Sequence, residues 1–545
     1  MNALSTQCLQ IADGETFRLE KNTTYHVRQD DSFVLDGYYC SNSAKQHENP
    51  FGRRYMALYL KEKRNITIDG NGATILVHGK MTPMLFDRCE NITVKNLTRD
   101  YAVPTMTELT VLENNDGVCV LRINADCPFR IDGKQLCWLG EKDAKGIPYW
   151  EEYHIGKGRY FKLYDPATQK CTDFRKEDLA FSAVEQIDAQ TVRVTLVNPQ
   201  AHFPAGSILQ TRSIVRDQVG SFFVRCKNLR FENLRVKFMH GLGMVSQFCE
   251  NVTFVDCDFT PAVGRTIAST ADFFQFSGCR GELLIERCRA FGAQDDYVNV
   301  HGTHLRVIER DDTDTSILVR FMHAESWGFQ AFSVGDRLEW IRWDTLIPYG
   351  ETVVTAFERI NDTDIRLWLD RPIPDELVLG KDVVENATWT PNLTVRQCDF
   401  GPTSGRGILC TTRGKVVIEA NRFEKLWGPA LLVEDDCNFW FESGYTRDVV
   451  FCDNEVIDCE HGHMWEGTPV IRYSPKIMDE GSTAFVHGKL AVRGNKFRKP
   501  QGETHAFWLE SVREVEIFDN EFDAPYRVVT RNVGQVTEQN NQVLA

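Results

Sequence analysis

The sequence predicts an all-β protein built on a parallel β-helix that two antiparallel β-domains interrupt. Three observations predict this fold class: a short repeat with the period of a strand, a constant step between several of its copies, and two long stretches without the repeat. No stretch has the apolar spacing of a long amphipathic α-helix. Helices are therefore expected to be few.

The repeat consists of Asn, any residue, an apolar residue, any residue and an apolar or aromatic residue, followed by a polar turn. Apolar and polar residues alternate within it, as they do in a half-buried strand. Its copies, some of them degenerate, begin at Asn65, Asn91, Asn228, Asn251, Glu282, Asn392, Lys415, Asp448, Lys489 and Glu514.

The step from Asn228 to Asn251 equals the step from Asn392 to Lys415. Its length, about 23 residues, suits one turn, or rung, of a parallel β-helix, in which successive rungs stack about 4.8 Å apart. A β-propeller blade needs about 40 to 50 residues, so the period excludes that fold. Several of the 17 cysteines flank copies of the repeat, and we expect small buried core residues rather than disulfides or metal ligands.

The repeat is absent from residues 101–218 and again from residues 303–390, where strand-like alternation and Gly or Pro turns replace it. Both stretches are expected to be inserted antiparallel β-domains with a barrel-like form. The predicted organisation is β-helix at 1–100, a first barrel-like insertion at 101–218, β-helix at 219–302, a second barrel-like insertion at 303–390, and β-helix at 391–545.

The chain is acidic, with 62 Lys and Arg against 77 Asp and Glu and a net charge of -15. Such a surface is unsuited to nucleic-acid phosphates or to a pectin-like polyanion, because binding them depends on Lys and Arg. No apolar run approaches the roughly 20 residues of a membrane span, and the first residues lack the pattern of an export signal. We expect a neutral partner, no nucleic acid, no membrane and a cytoplasmic location.

The strongest chemical signal is the adjacent pair Asp295 and Asp296, although such a pair alone is more often a solvated turn. Asp272 precedes the pair by the step of the repeat, which is one rung upstream, so stacking would gather three carboxylates on one face. Like-charge repulsion should raise the pKa of at least one of them. A protonated carboxyl beside an ionised one is the arrangement that glycoside hydrolysis requires.

Two further pairs share a face by the period of a strand. Asn299 and His301 follow the carboxylate pair, where they would bind sugar hydroxyls or serve a turn. Trp440 and Glu442 would offer an aromatic ring to the apolar face of a sugar and a carboxylate to its hydroxyls.

The remaining candidates are open to two interpretations each. Arg413 ends a rung and would either reach the site or form a salt bridge, and Glu434 with Asp435 would line the cleft or form a solvated rim. His461 and His463 lack the further spaced ligands of a metal site, so neither a metal nor another cofactor is expected.

Five segments resemble glycoside hydrolase family 110: GRTIASTAD, SGCRG, QDDYVNVHGT, RGILCTTRGKVVIEANRF and WFESGYTRDV, which begin at residues 264, 277, 294, 406 and 440. The resemblance implies a right-handed parallel β-helix with two inserted β-barrel domains. It implies an exo-acting α-1,3-galactosidase that removes terminal galactose from blood-group-B-type or linear glycans, with inversion and without a metal.

The resemblance also implies roles for the carboxylates. Asp295 would protonate the glycosidic oxygen, and Asp272 with Asp296 would hold and deprotonate the attacking water. In an inverting enzyme the acid and base carboxyls are expected to stand about 6.5 to 9.5 Å apart.

Two alternatives stay open on the sequence. The chain resembles, more distantly, the polygalacturonases of family 28, but the tripeptide Arg-Ile-Lys, a form of their basic element for a uronate carboxylate, does not occur in it. A non-catalytic carbohydrate-binding β-helix of the tailspike kind would use the carboxylates as a cation site or a turn. The two insertions are also expected to offer contacts for a homodimer.

Overall fold

The computed structural model describes residues 3–155, 159–174, 176–311, 315–463, 467–500 and 503–544. These residues form one α-helix, Ala3–Leu9, two 3-10 turns, Gln29–Asp31 and Lys176–Leu179, and many short strands. Among them, no helix combines the length and the apolar character needed to cross a membrane. The expectation of an all-β protein is confirmed.

Most strands belong to a parallel β-helix. Each complete rung contributes two strands to a large sheet and a third to a smaller one, as Leu242–Gln247, Glu250–Val255 and Asp258–Phe259 do. Equivalent strands of successive rungs pair in parallel, for example Leu242–Gln247 with Phe274–Ser277. The predicted parallel β-helix is thereby confirmed.

The large sheet has 22 strands: Thr16–Arg18, Leu58–Lys61, Arg64–Asp69, Met84–Asp87, Glu90–Lys95, Val219–Val224, Lys227–Glu232, Leu242–Gln247, Glu250–Val255, Phe274–Ser277, Arg280–Glu286, Val298–Thr303, Asn392–Arg396, Ile408–Cys410, Lys415–Glu419, Leu431–Val433, Glu442–Ser443, Asp448–Cys452, Ile471–Tyr473, His487–Arg493, His505–Phe518 and Tyr526–Gln539. The smaller sheet has 12 strands: Thr24–Arg28, Thr74–His78, Thr98–Tyr101, Arg235–Val236, Asp258–Phe259, Arg289–Ala290, Asp399–Phe400, Arg422–Glu424, Glu455–Ile457, Lys496–Arg498, Glu521–Phe522 and Gln542–Val543.

The repeat marks a corner of the rung as well as a strand. Asn228 and Asn251 both have a left-handed backbone, with φ of 55° and 58°, a conformation that Asn tolerates better than most residues. The Asn251 side-chain amide donates to the Asn228 side-chain oxygen at 2.8 Å. The repeated Asn therefore satisfies the backbone turn and links neighbouring rungs.

The core of the helix is one continuous cluster of Leu, Ile, Val and Phe side chains, to which the cysteines contribute. All 17 cysteines are free thiols, and only Cys452 is not buried. The aromatic members stack from rung to rung, as Phe231 and Phe254 do with ring centroids 4.6 Å apart. This apolar interior makes the helix a rigid support for side chains on its outer faces.

The first break in the helix carries its own apolar core between two antiparallel sheets. Its strands are Met106–Asn115, Val118–Ile123, Phe129–Asp132, Gln135–Leu139, Glu151–Tyr153, Arg159–Asp165, Lys170–Asp173, Phe181–Gln186, Thr191–Leu196 and Ile208–Ser213. The second break closes into a six-stranded barrel of Leu305–Arg310, Ser316–Arg320, Arg337–Ile341, Pro348–Arg359, Asp364–Leu369 and Val383–Asn386. A short hairpin near the N-terminus pairs Phe33–Leu35 with Arg54–Met56 and carries the loop between them.

Candidate active site

Three charged residues occupy the same position in successive rungs, two residues before a strand of the large sheet. Asp272 precedes Phe274, Asp296 precedes Val298 and Arg406 precedes Ile408, and these three strand residues are paired in register. The Asp296 backbone N–H donates to Asp272 Oδ1 at 3.2 Å. Rung stacking thus places the acidic residues and a guanidinium in one column.

One carboxylate oxygen from each of Asp272, Asp295 and Asp296 lies within 4.8 Å of the other two. This distance is below the separation of about 6.5 Å or more expected between acid and base carboxyls of an inverting glycosidase. The same three oxygens have the spacing of a cation site. Two arginines, Arg406 and Arg216, already bind Asp295 and Asp296, however, and supply positive charge beside the cluster.

Arg406 holds both members of the adjacent pair. Its Nε and Nη2 donate to Asp296 at 2.6 and 2.8 Å, and Nη2 also donates to Asp295 Oδ1 at 3.1 Å. Arg216, on the segment that leaves the first insertion, donates to Asp295 Oδ2 at 3.1 Å. Asp295 therefore faces two guanidinium groups, whereas the described contacts of Asp272 include none.

These surroundings separate the protonation states of the trio. Burial raises the pKa of Asp272 well above its ordinary value, and the charges of Asp295 and Asp296 raise it further. Burial also raises the pKa of Asp296, to about 7, against the opposing effect of Arg406. At Asp295 burial acts in the same direction, but Arg406 and Arg216 outweigh it and lower the pKa. Repulsion is thus present as expected, although desolvation is the larger cause.

Two glycines allow the chain to pass close to the site. A Cβ atom at Gly405 would lie 1.8 Å from the Asp295 carbonyl oxygen, and one at Gly302 would lie 2.4 Å from Ser443 Oγ. The second contact accompanies an antiparallel pairing that sets Thr303 opposite Glu442. Any larger residue at either position would push the rung of the carboxylates away from its neighbour.

Asn299 and His301 lie on the strand Val298–Thr303 and are both buried, at 5% and 3% exposure. Asn299 lines the cavity beside the carboxylates, and its Oδ1 has no hydrogen-bond partner among the described residues. The His301 Nδ1 lies 2.6 Å from the Gly302 carbonyl oxygen, which leaves Nε2 to accept from the Gln275 amide at 3.1 Å. Asn299 thus offers a free acceptor to a ligand, while the two nitrogens of His301 are taken up by the Gly302 carbonyl and the Gln275 side chain.

Trp440, Glu442 and Glu434 also line the cavity. Trp440 is 46% exposed and its ring packs on His323 with centroids 4.3 Å apart, so one aromatic face remains open. Glu442 accepts a hydrogen bond from the Asn42 side chain. Glu434 accepts one from Lys476 at 2.6 Å.

The cavity encloses about 420 Å³, including its open mouth. Its lining carries more acidic than basic groups and consists of Asn42, Arg216, Asp272, Gln275, Asp295, Asp296, Asn299, Arg406, Leu409, Glu434, Trp440 and Glu442. The acidic lining disfavours an anionic ligand such as a uronate.

Of the two interpretations of Arg413, the structure shows the salt bridge. Its guanidinium is buried and pairs with Glu339 and Glu385, two residues of the second barrel. Arg413 does not line the cavity described above. The salt-bridge interpretation holds because the end of this rung meets the barrel, whose buried carboxylates require a cation.

Asp435 and His461 have structural contacts. Asp435 is buried and pairs with His304 at 2.9 Å, so it is neither cleft nor solvated rim. His461 Nε2 accepts the Cys171 backbone N–H at 3.2 Å, which joins the helix to the first insertion. His463 is an exposed residue two positions later.

The sequence reasoning missed Arg406, Arg216, Asn42 and Gln275. Arg406 had a signal, since it stands two residues before its strand as Asp272 and Asp296 stand before theirs. The other three carry no comparable pattern, because they reach the cavity from an insertion linker, an N-terminal loop and the middle of a strand.

Comparison with known proteins relates this chain to a named family. Residues 316–384 match the family described as GLAA-B beta-barrel domain II. The protein named alpha-1,3-galactosidase A of Bacteroides fragilis is 36% identical over 468 residues, which cover 85% of this chain and 74% of that protein. The proteins of the same name from Akkermansia muciniphila and Bacteroides thetaiotaomicron are 36% and 33% identical, with 84% and 89% of this chain and 73% and 82% of their own length covered.

Proposed function

Because the chain belongs to the alpha-1,3-galactosidase family, we propose that it hydrolyses terminal α-1,3-linked galactose from oligosaccharides or glycoconjugates. The observation that carries the proposal is the cluster of Asp272, Asp295 and Asp296 in a cavity that the exposed ring of Trp440 also lines. Exo cleavage is the mode that the family resemblance implies. Blood-group-B-type and linear α-galactosyl glycans are the proposed substrates.

In the proposed mechanism one carboxyl donates a proton to the glycosidic oxygen and an ionised carboxylate takes a proton from water. Burial and the charges of Asp295 and Asp296 raise the pKa of Asp272 well above its ordinary value, which suits it to hold the proton, while Asp295, with its lowered pKa, is suited to act as the base. Asp296, with a pKa of about 7, lies beside both carboxyls, so its protonation state affects the pKa of each. This division differs from the roles that the family resemblance implies, in which Asp295 is the acid.

Sugar binding is assigned to the rest of the lining. The exposed face of Trp440 would stack on the apolar face of galactose, while Glu442, Glu434 and Asn299 would bind hydroxyl groups. Inversion is proposed from the family resemblance and not from the spacing of the carboxylate oxygens, which is shorter than that of an inverting pair. It requires a water between the anomeric carbon and the base. The galactose anomer released first, observed by NMR, tests it: β-galactose for inversion and α-galactose for retention.

The test of the function is galactose release from a Gal-α-1,3-Gal disaccharide and from an aryl α-galactoside. Asp272→Asn, Asp295→Asn and Asp296→Asn are each expected to lose the activity on the disaccharide while remaining folded. Release of uronate from polygalacturonate instead would favour a polygalacturonase relative. Tight glycan binding with every substrate intact would favour a binding module.

A further inference from the structure

A second cavity lies on the same side of the β-helix, toward its N-terminus. It encloses about 880 Å³, including its open mouth, between the loop after Phe33–Leu35, three rungs of the helix and the second barrel. The Gln247 side chain forms part of the wall toward the catalytic cavity, since its Oε1 accepts the Ser41 N–H at 2.9 Å and its Nε2 donates to the Tyr39 carbonyl at 3.2 Å. Asn42, which follows Ser41 in the chain, lines the catalytic cavity.

The cavity is built on one corner of successive rungs. Arg88, Arg225 and Phe248 occupy equivalent corner positions, because the Arg88 N–H bonds the Val224 carbonyl and the Arg225 N–H bonds the Gln247 carbonyl. All three have a left-handed backbone, so that conformation belongs to the repeat. Stacking therefore sets two guanidinium groups on neighbouring rungs, one above the other.

Like charges in adjacent rungs are unfavourable unless each has a counter-charge. Arg88 has two, Glu62 at 3.0 Å and Asp87 at 3.1 Å. Arg225 lies within ion-pair distance of no carboxylate of the described chain, and its recorded side-chain hydrogen bond goes from Nη2 to the Gln330 carbonyl at 2.9 Å. Its remaining guanidinium N–H groups are available to a ligand.

The other charged groups of the cavity already have partners. Asp36 pairs with Arg53 at 2.7 Å, and Asp87 accepts from the Tyr38 hydroxyl at 3.1 Å as well as from Arg88. Arg359 pairs with Asp362. Arg225 is thus the lining cation that has no carboxylate at ion-pair distance in the described chain, while the charges of Asp336 and Asp87 act on it from farther away.

Aromatic rings accompany this cation. The Arg225 guanidinium lies 5.4 Å from the centre of the buried Phe248 ring. The half-buried ring of Tyr39, which packs on Trp327 with centroids 4.8 Å apart, is the aromatic surface that the cavity offers. An aromatic surface beside hydrogen-bonding groups is the usual setting for a sugar ring. A partly buried guanidinium is the residue of choice for an oxyanion.

We propose that this cavity is a second carbohydrate site, which binds a saccharide bearing an oxyanion, either a sulfate ester or a carboxylate, through Arg225. The site is separate from the catalytic cavity and does not depend on the proposed galactosidase activity. Acidic units of a glycan would bind in this second cavity. The catalytic cavity disfavours such units, because its own lining is acidic.

The experiment is isothermal titration of the full chain with galactose 6-sulfate, glucuronic acid, inorganic sulfate and galactose. Arg225→Gln is expected to weaken binding of the sulfated sugar, the uronic acid or both by about tenfold or more, since charge-assisted hydrogen bonds are lost. Arg230→Gln is the matched control, because Arg230 is on an exposed strand position and pairs with Glu232. Unchanged thermal unfolding would show that both variants are folded.

Three results would overturn the site. One is the absence of binding by both acidic sugars, another is binding that Arg225→Gln leaves unchanged, and the third is inorganic sulfate binding as tightly as galactose 6-sulfate, which would remove the sugar from the proposal. Turnover of an aryl α-galactoside is expected to be equal in the wild type and Arg225→Gln. If the wild type lacks that turnover, the proposed function fails while the titration still decides the second site.

Discussion

Arg406 and Asp296 meet through two hydrogen bonds, Nε to Oδ1 at 2.6 Å and Nη2 to Oδ2 at 2.8 Å, although 110 residues separate them in the chain. The contact is a rung-to-rung contact between equivalent positions. Parallel, two-point contacts of this kind fix both the position and the orientation of a carboxylate. Arg406 is therefore a positioning residue that also adjusts the charge of the acidic trio.

Replacement of this guanidinium tests its role. Arg406→Met is expected to lower kcat/KM on the disaccharide by about 100-fold or more and to shift the acidic limb of the pH profile to higher pH, because the pKa of Asp295 rises when the cation is removed. Arg406→Lys should recover part of the activity by keeping the charge. Arg422→Met, at a half-exposed arginine outside the cavity, is the control. An unshifted pH profile in Arg406→Met would exclude the charge effect.

The choice of acid and base can be tested with leaving groups. Asp272→Asn is expected to lose about 10² to 10⁴ in kcat/KM on the disaccharide but much less on a dinitrophenyl α-galactoside, whose leaving group needs no proton. Asp295→Asn should lose similar factors on both substrates. Asp30→Asn, in another adjacent Asp pair, should change neither rate. The reverse pattern for Asp272 and Asp295 would restore Asp295 as the acid.

Asp272 also makes a prediction about stability. Its folded pKa lies well above the value of about 3.9 in an unfolded chain, so the folded state binds its proton more tightly and loses stability as pH rises from about 4 toward that folded pKa. Asp272→Asn should therefore gain in unfolding temperature, relative to the wild type, as pH increases from 4 to 8.

The expected gain at pH 8 is about 2 °C or more, measured by calorimetry. Asp256→Asn is the control of opposite sign. Arg287 lowers the pKa of Asp256, so its carboxylate stabilises the fold above that pKa and its loss brings no gain with rising pH. A pH-independent difference between Asp272→Asn and the wild type would contradict the buried, protonated carboxyl.

Trp440 is predicted to bind the sugar without taking part in the chemistry. Trp440→Ala should raise KM about tenfold with a small change in kcat, and Trp440→Phe should recover much of the affinity, because a stacked aromatic ring contributes about 0.5 to 1.5 kcal/mol beyond its area. Phe439→Ala is the matched control, since Phe439 is 60% exposed and does not line the cavity. Equal effects at both positions would remove the stacking role.

Arg413 is predicted to hold the second barrel on the helix. Arg413→Met leaves two buried carboxylates, Glu339 and Glu385, without their cation, which costs about 3 to 5 kcal/mol when a buried pair is broken. Unfolding temperature should fall while KM for the disaccharide stays unchanged. Arg337→Met, which breaks an exposed pair with Glu351, should have little effect. A raised KM at full stability would return Arg413 to the substrate site.

The scaffold was predictable from the sequence because a β-helix repeats its local rules. The step between Asn228 and Asn251 is the register of the strands that contain them, and the step from Asp272 to Asp296 is the register of the rungs that carry the carboxylates. Alternating apolar residues and a turn-forming Asn are enough to specify each rung. The rung to which a residue belongs then follows from its distance in sequence to the neighbouring copies of the repeat.

The distance in sequence does not predict contacts where an insertion interrupts the repeat or where a loop covers the outer face of the helix. Arg406 lies one rung from Asp296 in space, but the second barrel stands between them in the sequence. Asn42 belongs to an N-terminal loop, and its side chain donates a hydrogen bond to Glu442. Arg413 shows the opposite case, since its rung position suggested the cavity while its partners lie on the barrel. Periodicity specifies the rung of a residue, whereas insertions determine what covers that rung.

The long separation of Asp296 and Arg406 in the chain also sets the order of assembly during synthesis. Asp272, Asp295 and Asp296 leave the ribosome before the second barrel and before one of their two guanidinium partners. Contacts at such long separation form after local ones. A nascent chain therefore carries its acidic residues without full charge compensation, and the lining of the cavity is complete only once the segment from Arg406 to Glu442 has been made.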